Sequence, residues 1–136
     1  MDGFVLVDTS VWLRRERSEL LEPLHDRVAI CPPVVQELLQ GAYGSDTQAV
    51  VAEIVRDAIM LESPVSLDTF RQAAAIFRAA RIAAYTIRTP YDCLIAAIAI
   101  RHGAEVLHAD RDFDYIADAT NLEARNINPS ASTARS

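Results

Sequence analysis

The chain has 136 residues, 51% hydrophobic and 24% charged, which suits one domain with one real core. No apolar run reaches membrane-span length and no basic stretch precedes an apolar one at the N-terminus, so neither an anchor nor a signal peptide is expected. The formal net charge of −6 argues, taken alone, against phosphate-backbone partners. All 13 basic residues are arginine, which excludes lysine Schiff bases, P-loop phosphate binding and receiver-type phosphoacceptor sites. Cys31 and Cys93 sit in apolar segments and are too few for a disulfide framework, so buried thiols in a reducing cytoplasm are expected.

Residues 4–7 are a short apolar run ending in Asp8, the pattern of a strand buried on both faces. Thr9 or Ser10 suits the cap of a following helix that carries Trp12 and Leu13. A second amphipathic piece covers 19–27, and 28–31 read as another buried strand. Pro32 and Pro33 open a helix whose core stripe is Val34, Val35, Leu38 and Leu39 and which stops near 41–44. Residues 46–58 are predicted helical, with Val50, Val51, Ile54 and Val55 on one face, and 59–61 form a strand. Ser66 caps a long helix over 67–83. Thr89 and Pro90 open the most apolar helix, closed by Gly103. A strand over 105–109 ends at Asp110, followed by a short helix at 113–118 and a last strand near Leu122. The domain spans 1–127, and 128–136 have the composition of a disordered tail. Strands alternating with helices imply a parallel sheet covered on both faces.

Several carboxylates stand out against this frame. Asp8 ends a buried strand, and the carboxyl ends of parallel strands form the ligand crevice of open α/β sheets; a helix cap is the plainer role. Asp92 is the only charged residue between Pro90 and Ile100 and shares its helix face with Ile95, Ala96 and Ala99. A carboxylate there is costly unless it is paired, capped or bound to metal. Its place three residues after Thr89 also fits capping, where the helix dipole keeps it ionised. Asp110 repeats the Asp8 pattern, with Asp112 and Asp114 following at alternating positions; Asp114 reads as solvated. Glu37 lies off its helix's core stripe, where exposure is the default.

Such an all-oxygen set suits Mg²⁺ or Mn²⁺ rather than zinc, since His25, His102 and His108 are scattered and read as ordinary surface or packing residues. Two bound Mg²⁺ would bring the charge from −6 to about −2. Arg14, Arg15 and Arg17 form one basic group. Arg71 and Arg78 share a helix face, with Arg81 and Arg88 beyond, as an RNA-binding row or as plain solvated surface. An aspartyl-nucleophile phosphatase would need a second acid where Ser10 stands. A serine hydrolase would need a G-x-S-x-G elbow, which is missing.

The segments VLVDTSVW (5–12), VVQELLQG (34–41) and TPYDCLIAAIAIRHGAEVLHADRDFDYIA (89–117), in that order, resemble the PIN-domain nucleases, most closely the VapC-type toxins of toxin–antitoxin pairs. The resemblance implies a three-layer α/β/α sandwich with a central parallel sheet and a Mg²⁺-dependent endoribonuclease, with Mn²⁺ as the other ion. It carries the catalytic and metal-binding acids over to Asp8, Glu37, Asp92 and Asp110, with Asp112 sharing or taking the last place. Asp8 and Asp92 are the first choices for direct ligands. Thr9 and Ser10 match hydroxyls that support the first acid. The resemblance further implies an RNA substrate, a homodimer, a small antitoxin that blocks the acidic crevice, and a cytoplasmic setting without membrane contact. The alternatives are a non-catalytic PIN-like module binding RNA or protein, against which the intact acid set argues, and a housekeeping RNA-processing nuclease.

Overall fold

The computed structural model describes residues 3–128; from residue 129 onward, the expected tail lies outside the described residues. Five short strands form one sheet in which every neighbouring pair is parallel. They are β1 (Val5–Val7), β2 (Val28–Ile30), β3 (Ile59–Met60), β4 (Glu105–His108) and β5 (Ala124–Asn126), in the spatial order β3-β2-β1-β4-β5. Every residue of β1 and β2 is buried, as apolar runs in a sheet covered on both faces require. At one edge, β3 is only two residues long and exposed, which limits the row of unpaired backbone groups it offers.

The helices are α1 (Thr9–Trp12), α2 (Arg17–Leu21), α3 (Pro32–Gln40), α4 (Ser45–Asp57), α5 (Leu67–Ile82), α6 (Pro90–Arg101) and α7 (Arg111–Ala119). The chain walks outward from β1 to β3, then crosses back to β4 and β5. Parallel crossovers are right-handed, so this reversal sends α1–α4 to one face and α5–α7 to the other. The contacts agree: α3 packs on α4, and α5 packs on α6 and α7. The result is the expected α/β/α sandwich. Its core runs through α6, where Asp92, Cys93 and Ile95–Ala99 are buried. Thr89 caps α6 by accepting the Tyr91 N–H, and Gly103 ends it with φ +63°, the left-handed geometry glycine adopts without strain.

Some local expectations shift. Only Trp12 of the first pair turns inward, its Nε1 donating to the Val7 carbonyl at 3.0 Å; Leu13 follows the helix and is 72% exposed. The amphipathic stretch over 19–27 is not one helix. It stops at Leu21 and continues as a 3₁₀ turn, Glu22–Leu24, because Pro23 has no N–H to extend the ladder. Leu39 is 52% exposed rather than part of the core stripe. The last strand starts two residues beyond Leu122, which is itself a core residue in the α7–β5 connection.

What matters most for the site is the sheet order. The direction of winding reverses between β1 and β4, so the crevice opens beyond the carboxyl ends of these two strands. The Asp8 N–H donates to the Leu107 carbonyl at 3.0 Å, which holds the two strand ends together.

Candidate active site

Asp8 and Asp110 reach the crevice because each follows the carboxyl end of a central strand and caps the helix behind it. Asp8 Oδ2 accepts from Ser10 twice, from N–H at 3.1 Å and from Oγ at 2.6 Å. Ser10 Oγ in turn accepts the Ala109 N–H at 2.9 Å, so one serine fixes the first acid against the loop that carries Asp110. Asp110 Oδ1 accepts the Asp112 N–H at 3.0 Å as the cap of α7. Capping and a place in the site are therefore not rivals for either acid.

Asp92 arrives from the other face, on the first turn of α6. Carboxylate oxygens of Asp92, Asp110 and Asp112 all lie within 4.8 Å of one another. Asp92 Oδ2 is buried with no hydrogen-bond partner among the described residues, so the capping role that the sequence also allowed leaves this oxygen unsatisfied. Burial, then the charges of Asp110, Asp8, Asp112 and Glu37, push the Asp92 carboxyl up to about 9. Burial likewise raises Asp8, against the lowering hydrogen bonds from Ser10.

Glu37 sits half-buried on α3, not exposed as an isolated helical glutamate would be. Thr9 Oγ1 donates to its Oε1 at 3.0 Å. Burial raises its carboxyl; Thr9 opposes this, and the nearby charges of Asp8 and Asp110 add to it. Of the two hydroxyls expected beside Asp8, Ser10 alone supports it; Thr9 serves the glutamate.

Two participants were not singled out by the sequence. His108 was read with the other histidines as ordinary packing. It is wholly buried, and its Nδ1 accepts the Asp110 N–H at 3.2 Å, which makes Nε2 the protonated nitrogen in the neutral ring. Burial lowers its pKa. Arg88, in the loop before α6, donates from Nη2 to Asp110 Oδ1 at 2.6 Å and from its backbone N–H to Asp112 Oδ2 at 3.0 Å. Its position four residues before Asp92 was the available signal, since a helix that begins at the crevice must be entered along the rim.

Arg71 and Arg78 are not drawn into this cluster. Both are exposed on α5. Arg71 pairs with Asp68 at 2.8 Å, whereas Arg78 borders a mostly apolar groove that continues past Phe77 and Tyr91 to Arg88.

A buried carboxylate with an orphaned oxygen, two more carboxylates within reach and only oxygen donors is a fitting cradle for a hard divalent cation. Comparison with known proteins identifies the family. The PIN-domain family profile matches residues 5–119. The chain is 42% identical over 133 residues to the VapC ribonuclease Mb1587 of Mycobacterium bovis, covering 90% of this chain and 98% of that protein. It is equally similar to the ribonuclease VapC11 of Mycobacterium tuberculosis. Among solved structures, a chain of the toxin–antitoxin complex VapBC-5 from Mycobacterium tuberculosis superposes with TM-score 0.70 at 26% identity, covering 93% of this chain and 100% of that one. A chain of VapBC2 from Rickettsia felis, bound to promoter DNA, gives TM-score 0.74 at 17% identity over 92% and 99% of the two chains, a likeness of fold alone. With the family profile covering most of the chain and these relatives matched over nearly their whole length, the chain belongs to the PIN-domain family and stands there beside the VapC ribonucleases.

Proposed function

We propose that this protein is a divalent-metal-dependent endoribonuclease and the toxin of a toxin–antitoxin pair. The observation that carries the reading is the buried, unpartnered Asp92 oxygen within 4.8 Å of two further carboxylates. Asp92, Asp110 and Asp112 would hold an ion, Mg²⁺ or Mn²⁺ by their hard oxygen donors. Asp8 is the further acid of the same crevice and Glu37 lines its flank.

When bound, the ion would supply activation of the attacking water and neutralisation of charge on the leaving oxygen in phosphodiester hydrolysis. The chain's own groups do the rest. Ser10 holds Asp8 and the Asp110 loop in one arrangement. Glu37, raised by burial and aimed by Thr9, is suited to accept a proton from the attacking water. His108 fixes the backbone at Asp110. Arg78, on the groove that leads to Arg88, extends a basic track for RNA; Arg71 contributes less because Asp68 already engages it.

RNA is the substrate class supported by the relatives named ribonucleases, and an antitoxin partner is supported by the VapBC complexes. A homodimer and a cytoplasmic setting belong to the same reading. Among the described residues, no helix is long and apolar enough to cross a membrane.

Incubating the purified chain with RNA, with Mg²⁺ or with EDTA, tests the enzyme. Cleavage in EDTA at the same rate would overturn the metal role, and no cleavage with any divalent ion would favour the non-catalytic alternative. Mapping RNA ends and following growth after brief expression without a partner separates a toxin from a housekeeping nuclease, since only the former arrests growth.

A further inference from the structure

Among the described residues, Arg88 is the one cation with an ion pair to the acid cluster: Nη2 meets Asp110 at 2.6 Å and Nε meets Asp112 at 3.4 Å. The two ends of this contact differ in setting. The Asp112 side chain is 2% exposed and that of Asp110 26%, whereas the Arg88 side chain is 66% exposed. The acids are fixed by the fold, and the guanidinium lies across their mouth from the solvent side.

The ion pair is not what positions the loop. The Arg88 backbone N–H is anchored separately on Asp112 Oδ2 at 3.0 Å, and Thr89 caps α6 directly behind it. An ion pair with one partner so exposed contributes little to stability. The side chain also stands where two depressions meet: the groove along Phe77, Arg78 and Tyr91, and a second hollow formed with Tyr85, Arg111 and Tyr115. Arg88 lines both depressions, and the second of them reaches Asp112.

We infer that Arg88 is a phosphate-binding residue whose guanidinium is shared between Asp110 and Asp112 and a phosphate of the RNA, turning from the acids to the substrate as a divalent ion takes its place. The inference rests on the proposed function, in which the same carboxylates hold that ion. The physical basis is competition. A monovalent guanidinium and a divalent cation seek the same oxygens, and the fork released from two carboxylates matches the geometry of a phosphate. Arg88 thus covers the acids without substrate and becomes a substrate contact with it, and its loss acts in opposite directions on the two ligands.

The test measures both ligands with Arg88→Gln and Arg88→Lys. Mn²⁺ binding is followed by electron paramagnetic resonance on RNA-free protein. Binding of a single-stranded oligoribonucleotide is followed at several salt concentrations in an Asp8→Asn background, so that the RNA stays intact. Arg88→Gln is expected to bind Mn²⁺ at least about tenfold tighter, since repulsion between a unit charge and a divalent ion a few ångströms apart is worth more than that even at the dielectric of bulk water. It should bind RNA more weakly, with the salt slope reduced by about one. Arg88→Lys restores the salt slope and not the forked pairing. Unchanged or weaker Mn²⁺ binding in Arg88→Gln overturns the competition, and an unchanged salt slope overturns the phosphate contact. Equal loss of both ligands, with a lowered melting temperature rescued by lysine, reduces Arg88 to a structural strap and overturns the inference. Wild-type protein that binds no Mn²⁺ at all overturns the reading of the acid cluster itself.

Discussion

Two carboxylates in this molecule have little side-chain surface open to water and end in opposite states, Asp92 deep in the fold and Glu62 nearer its surface. Glu62, on the connection from β3 to α5, has a side chain only 8% exposed. Burial works against its charge, but hydrogen bonds from Thr69, His102 and Ser66 outweigh it and bring the carboxyl down to about 2. The Ser66 N–H and the Thr69 hydroxyl donate to one oxygen, His102 lies 2.8 Å from the other, and Arg101 adds an ion pair at 3.5 Å. Asp92 has burial without such compensation, and its neighbours are other acids. Burial alone therefore does not mark a functional carboxylate. A saturated one is a staple, here tying the start of α5 to the end of α6, and an unsatisfied one among like charges is a candidate ligand site.

The contrast can be broken most sharply at Asp92. Asp92→Asn should lower RNA cleavage by more than about 100-fold, since even groups that merely support metal ligands are worth roughly 10–100-fold. The same substitution should raise the melting temperature of the metal-free protein at alkaline pH, because it removes a charge the fold opposes. A melting temperature that fell instead would mean that Asp92 has a compensating partner. Glu62→Gln should do the reverse, costing about 1.5–3 kcal/mol of stability in denaturant titrations, the usual worth of a hydrogen bond to a charged group, while cleavage rates at saturating RNA stay at the parental level.

The pH dependence sharpens the same comparison. Asp92 ionises near 9 in the fold against an ordinary 3.8, so its contribution to stability is present below the ordinary value and is lost as pH rises toward 9. Glu62 ionises near 2 against an ordinary 4.5, so its contribution is present above 4.5 and is lost as pH falls toward 2. Metal-free protein should therefore lose stability along an acid limb, below 4.5, and along an alkaline limb that begins above 3.8 and levels off beyond about 9. Asp92→Asn flattens the alkaline limb only, and Glu62→Gln the acid limb only; saturating Mg²⁺ should restore the alkaline limb of the wild type. The smallest effect concerns Arg78. Arg78→Gln should reduce the salt slope of RNA binding by about one unit, and Arg71→Gln by less, because Asp68 already holds Arg71 at 2.8 Å. Equal slopes for both variants and the parent would remove α5 from the RNA path.

Sequence reading singled out the strand-end acids because their signal is local: an apolar run, then an aspartate. It singled out Asp92 because one charge in an apolar helix is conspicuous. It left Asp110 and Asp112 open as alternatives, and the fold brings both within reach of Asp92, since Asp110 caps α7 and Asp112 lies in its first turn. Glu37 carried almost no local signal. Its hydrogen-bond partner, Thr9, lies 28 residues earlier, a proximity that strand pairing creates and helical periodicity cannot reveal. Arg88 was noticed only as one more basic residue, because its partners lie 22 and 24 residues away. Element boundaries shifted where a single residue overrode periodicity, as at Pro23.

The buried indole of Trp12 has a practical consequence. It belongs to the only tryptophan in the chain. It donates to the carbonyl of Val7, immediately before Asp8, and it also walls a depression formed with Arg17, Leu21, Val50 and Ile54. Its fluorescence is thus an undivided optical signal from one spot. It should emit at short wavelength in the native protein and shift to the red on unfolding. It should also respond when the end of β1 moves or when that depression is filled, so that metal titration, partner docking and denaturation can each be followed without attaching a dye.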